Sequence, residues 1–122
     1  MKLLFCVFPL LLLAATPGAF AQDQKTGQSV TYRDIGPIFQ SKCASCHSGP
    51  RAANGLHLDS YQGVMDGARA GKVLVPGNPQ QSELVRRLTG TSKPQMPKNG
   101  PPFLPENQIS LIEKWIAGGA LE

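Results

Sequence analysis

Cysteine is scarce in this 122-residue chain, with three in all, at positions 6, 43 and 46. A disulfide between the last two would close a very small loop and stabilise little, because the gain from cross-linking grows with loop length. Long apolar runs are also missing. The longest, Leu3 to Ala15, has 13 residues, against the ~20 needed to span a bilayer as a helix. No convincing pair of alternating strand patterns and no internal repeat is present, which argues against a sheet-based fold. Strong charge is lacking too: the formal net charge is only +4. The cations are scattered with no accompanying aromatic pattern, so nothing points to nucleic acid.

What is present begins with a leader. Lys2, the apolar run and Ala19-Phe20-Ala21 have the order of a secretory signal peptide with a small-x-small cleavage site, over residues 1–21. An uncleaved anchor is the alternative, and the shortness of the run favours cleavage. Residues 22–29 are polar and aperiodic, a flexible leader. The remainder, 30–122, is long enough for one small domain. Export places the protein in a periplasmic or secreted setting, with no stable membrane span after cleavage.

Within 30–122 the periodicity predicts about four helices. Thr31 caps the first, with Asp34 completing a capping box and Val30 and Ile35 forming a hydrophobic staple. This helix is expected from Tyr32 to Cys46, kinked or restarted at Pro37. Asp59 caps a short second helix carrying Tyr61, Val64 and Met65. Asn78, followed by Pro79 at the first helical position, opens a third that ends at Gly90; Leu84, Val85 and Leu88 form its apolar stripe, Arg86 and Arg87 its wet side. The fourth runs from Glu106 to Ala117 with Ile109, Ile112, Trp115 and Ile116 on one face. Between the last two, Thr91 to Pro105 holds five prolines, and loops of this length without secondary structure are usually functional or disordered. Met96 and Phe103 within it suggest an ordered, apolar role. The class is all-α with long loops.

The chemistry concentrates in Cys43-Ala44-Ser45-Cys46-His47. Two thiols and an imidazole at i, i+3 and i+4 share one face of a helix. Cys-x-x-Cys-His is the attachment signal of a c-type haem, the two thiols bonding the vinyl groups and the histidine taking the proximal position on the iron. Two other uses of these residues come into view. Cys43, Cys46, His47 and His57 have zinc-ligand chemistry, but no second Cys/His pair stands at the usual spacing. A thioredoxin-like redox motif would need a βαβ setting. For the opposite face of a haem, a thioether sulfur is a common ligand in cytochromes c. Met96 leads, because Pro97 biases it to extended backbone and a stiff strap 49 residues after His47 can reach around a ring. Met65 has the spacing of a core residue. His57, between Leu56 and Leu58, could compete for the iron. Arg51 reads as a solvated arginine, with a haem propionate as its other possible contact.

With these residues in view, the chain resembles class I c-type cytochromes, and most of all the small single-haem domains described as planctomycete-type cytochrome c. The likeness runs from Pro37-Ile38-Phe39 and Lys42-Cys43-Ala44-Ser45-Cys46-His47, through Gly55-Leu56-His57-Leu58-Asp59-Ser60-Tyr61, Pro76-Gly77-Asn78-Pro79, Ser82-Glu83-Leu84 and Arg86-Arg87-Leu88. It ends with Met96-Pro97 and the Ile112-to-Ala120 stretch. The resemblance implies one haem c bound through Cys43 and Cys46, with His47 and Met96 as iron ligands. It also implies first and last helices that cross beside the haem, with Phe39 near Ile112 and Trp115. Many members carry a small residue at that crossing, where this chain has Ile35 followed by Gly36. The implied function is a one-electron carrier rather than an enzyme, a monomer or loosely associated subunit that meets redox partner proteins. A subunit role in a redox enzyme and a gas- or peroxide-reactive haem are the alternatives.

Overall fold

The computed structural model describes residues 27–122; the signal peptide at 1–21 and most of the leader at 22–29 lie outside the described residues. Helix α1 spans Tyr32–Lys42. It starts where Thr31 is extended and the Asp34 carboxylate accepts the Thr31 N–H at 2.8 Å and its hydroxyl at 3.2 Å. A carboxylate in the first turn also suits the positive end of the helix dipole. Val30 packs on the core and Ile35 is fully buried. Helix α1 runs through Pro37 without a break in its assignment.

The first helix is shorter than its periodicity suggests: it stops at Lys42, not Cys46. The Phe39 carbonyl accepts from both Cys43 N–H and Ala44 N–H, each at 2.9 Å. The Ala44 bond is one residue too long for an α-helix, and Cys43 leaves helical geometry with φ −127° and ψ −36°. The Cys43 carbonyl then accepts from Cys46 at 3.1 Å and His47 at 2.9 Å. The Cys-x-x-Cys-His segment is thus a tight turn hung on the end of α1.

Two further boundaries differ from expectation. Helix α2, Tyr61–Asp66, is capped by Ser60 instead of Asp59: the Ser60 hydroxyl accepts from Gly63 N–H at 3.1 Å. Gly63 is required here, since a Cβ would stand 2.6 Å from the His57 Cβ. The stretch expected as one third helix is a 3-10 turn, Pro79–Gln81, followed by α3, Glu83–Thr89. The break falls at Ser82, which is fully buried. Its hydroxyl accepts from Val75 N–H at 2.9 Å and donates to the Asn78 carbonyl at 2.9 Å, holding Ser82 extended with ψ 118°. Helix α3 ends at Gly90 in the left-handed region, φ 79°, as glycine after a helix permits. Helix α4 has the expected bounds, Glu106–Ala117.

Helices α1 and α4 pack together, and Ile35, Phe39, Ile112, Trp115 and Ile116 all have 0% exposure. The Phe39 and Trp115 rings meet edge-on with centroids 6.3 Å apart, the favoured aromatic geometry. Tyr32 adds ring contacts to Phe39, Trp115 and, at 5.7 Å, Tyr61 of α2. Ile35 is accommodated inside this contact; the neighbouring Gly36 lies against the Tyr32 ring. After α4 the chain folds back so that the Leu121 carbonyl accepts from the Tyr32 N–H at 2.8 Å and the Trp115 indole at 2.7 Å. Among the described residues there is no strand, only an isolated bridge between Ala68 and Gly71. No described helix is long and apolar enough to cross a membrane.

Ile112 lies in the core and outside the cleft described below. Ile112→Ala is therefore expected to lower the unfolding free energy by about 2–5 kcal/mol, measured by urea denaturation, while leaving the cleft chemistry in place.

Candidate functional site

One large cleft of about 750 Å³ opens beside the Cys43 turn, within the range of sites for small molecules and cofactors. Its apolar walls come from four parts of the chain. Leu56 and Leu58 follow the Ala53–Gly55 turn, Val73 lies after the Ala68–Gly71 bridge, Leu84 and Leu88 project from α3, and Leu104 closes the proline-rich loop. All six are buried in the same core cluster. Cys43, Cys46, His47 and Met96 line this one cleft. His57 and Met65 do not. His57 is half-exposed, with its Nδ1 3.9 Å from the Asp59 carboxylate. Met65 packs against the core. Arg51 is exposed and outside the lining.

The donor set fits a covalently held haem. Both thiols are free. His47 has its Nδ1 buried with no hydrogen-bond partner, a costly state for a ring nitrogen unless a bound group or water completes it. Burial pushes the Cys43 thiol up to about 11, with the neighbouring Cys46 adding to the effect. A redox nucleophile needs the opposite shift, toward thiolate. Among the described residues no trio of His, Cys, Asp or Glu is gathered closely enough to hold a metal ion. Two thiols, an imidazole and a thioether sulfur around an apolar cleft match the requirements of thioether attachment and axial ligation.

Met96 reaches the cleft on a strap that bends at Met96 and Pro97. Two bonds fix the strap to α3: Met96 N–H donates to the Arg87 carbonyl at 2.9 Å, and Gln95 Nε2 to the Leu88 carbonyl at 3.2 Å. Phe103, for which the loop suggested an apolar role, is 37% exposed; Leu104 beside it supplies the buried contact.

The rim is mostly cationic. Lys42, Lys72, Arg86, Arg87 and Lys98 border the cleft, with Glu83 the one acidic residue in its lining. Glu83 Oε1 accepts from Arg87 Nε at 2.6 Å and from the Ser92 hydroxyl at 2.7 Å, and Oε2 accepts from Arg86 Nε at 3.0 Å. Arg87 is therefore half-buried and engaged, not only the wet face of its helix. The periodicity shows Arg86 and Arg87 three and four residues after Glu83, but it carries no sign of Ser92 as a third partner.

A small helical fold gathered around an apolar cleft, with Cys-x-x-Cys-His on its wall, defines the cytochrome c class of domain. The family model described as planctomycete cytochrome C matches residues 43–100 of this chain. The match contains all four candidate ligands and ends before α4. A cytochrome c domain of this kind implies covalently bound haem c. No curated protein and no solved structure matches the chain.

Arg87, Ser92 and Arg86, in that order of effect, hold the Glu83 carboxyl down at about 2. A depressed carboxyl stabilises the folded state above its unfolded value near 4.5, and this contribution is lost as pH falls toward 2. Urea unfolding of the native protein and Glu83→Gln is expected to show a stability gap at pH 6 that closes between about pH 4.5 and 2. A gap that stays constant across that range would show that the carboxylate charge contributes nothing.

Proposed function

We propose that this chain is an exported monohaem c-type cytochrome acting as a one-electron carrier, in the periplasm or outside the cell, rather than an enzyme. One observation carries the reading: Cys43, Cys46, His47 and Met96, drawn from a turn and a strap far apart in sequence, all line one apolar cleft. In this reading 1–21 is the signal peptide, 22–29 the leader and 30–122 the cytochrome domain. Cys43 and Cys46 hold the single haem through thioether bonds, His47 is the proximal ligand and Met96 the distal one. When bound, the haem supplies the ferric/ferrous couple. The chain's residues surround it with Leu56, Leu58, Leu84, Leu88 and Leu104, a low-dielectric wall that tunes the potential. With His47 and Met96 both holding the iron, the residues would leave no ligand position for a substrate.

The partners that suit this reading are redox proteins with an acidic face. Five cations and one acid line the cleft, and with Arg86 and Arg87 paired to Glu83 the lysines Lys42, Lys72 and Lys98 remain to give its mouth a positive balance. Electrostatic complementarity of this kind accelerates encounter and weakens with salt. The domain meets such partners as a monomer or a loosely associated subunit.

Met96→Ala is the direct test of the carrier reading. The native ferric protein is expected to show the sulfur-to-iron absorption band at the red end of its spectrum, and its reduced form to resist carbon monoxide. The variant is expected to lose the band and bind carbon monoxide rapidly and stoichiometrically. A variant that keeps the band removes Met96 from the iron. Rapid carbon monoxide binding by the native protein would favour a gas- or peroxide-reactive haem instead.

A further inference from the structure

The proline-rich loop has no helix or strand of its own between Thr91 and Pro105, yet it carries a candidate iron ligand. Its attachments to α3 all fall in its first half, residues 91–96, among the described residues. The Arg86 carbonyl accepts from Ser92 N–H at 3.0 Å and from the Thr91 hydroxyl at 3.2 Å. Arg87 and Leu88 supply the carbonyls that hold Met96 and Gln95. These are last-turn carbonyls, which a helix leaves without internal partners. Beyond Met96 the loop's backbone bonding is local, with Gly100 N–H donating to Pro97.

Several side-chain links join α3 to the strap, the Thr91 and Gln95 bonds among them, and two others lead to one residue. The Ser92 hydroxyl donates to Glu83 Oε1, and Arg87, whose Nε is held by that same oxygen, donates from Nη1 to the Pro94 carbonyl at 3.3 Å. An isolated Glu–Arg pair along an exposed helix contributes little to stability. Such a pair would need neither Ser92 nor Pro94. We propose that Glu83 is a positioning residue that latches the Met96 strap to α3, and so keeps the thioether sulfur seated against the haem iron. This rests on the reading of Met96 as the distal ligand. Glu83 bonds to no residue of the strap beyond Ser92 and does not itself reach Met96; it acts through Ser92 and Arg87.

The test is imidazole titration of the ferric holoprotein, because an added ligand enters only when the strap has opened. Its apparent affinity therefore scales with the open fraction. Glu83→Ala is expected to bind imidazole roughly tenfold more tightly than the native protein and Ser92→Ala roughly threefold, each with a weakened sulfur-to-iron band. Met96→Ala sets the upper limit. Circular dichroism and thermal unfolding accompany each titration, so that loss of the fold is not mistaken for opening of the strap. Should Glu83→Ala fail to fold, Ser92→Ala, which leaves both Glu–Arg pairs intact, carries the test. Glu83→Ala and Ser92→Ala binding imidazole within twofold of native, while Met96→Ala binds far more tightly, would overturn the latch. No gain in Met96→Ala itself would overturn the ligand assignment on which it rests.

Discussion

The rest of the structure depends on the packing of α1 against α4. Phe39 and Trp115 meet edge-on at its centre with no exposed surface, and burial of such large rings dominates the energetics of a small core. The contact is closed at its end by the Leu121 carbonyl, which serves the first N–H of α1 and the indole of Trp115 together. Because α1 is fixed along its length, its C-terminal end is fixed as well. The turn bearing Cys43, Cys46 and His47 is hung from the Phe39 carbonyl, one of the most buried residues of that contact. Core packing and the placement of the thiols are thus the same constraint.

The opposite side of the cleft is built by different means. No helix presents Met96; a bent strap does, held by carbonyls that α3 leaves unpaired at its end. Residues with polar duties lie at the cleft mouth, and its walls are leucine and valine. Glu83 belongs to both regions. It neutralises part of the cationic rim and at the same time ties the strap through Ser92. The remaining cations are left to face outward around the opening, which is where a carrier would meet a partner.

Much of this was legible in the residues. Local signals with a clear physical basis transferred well: the Thr31 and Asp34 start, the Gly90 stop, the apolar face of α4 from Ile109 to Ile116. The attachment motif and Met96, distant in sequence, proved to line one cleft. The misses share a cause. Cys43 to His47 continues the helical period of α1, but a shared acceptor at Phe39 ends the helix first. Asn78 and Pro79 look like the start of a long helix, but the buried Ser82 hydroxyl, bonded to Val75 and Asn78, divides it. In each case a specific hydrogen bond outweighed the local preference, and no periodicity reports such bonds in advance.

The central claim is that Cys43 and Cys46 form the attachment point of a single haem. Mass spectrometry of the tryptic peptide Cys43–Arg51, taken from protein exported by cells that mature c-type cytochromes, tests it most directly. The account expects that peptide to carry the mass of one haem, with both cysteines consumed and no haem on any other peptide. The same peptide recovered with two free thiols, or with a Cys43–Cys46 disulfide, from fully processed protein would contradict it.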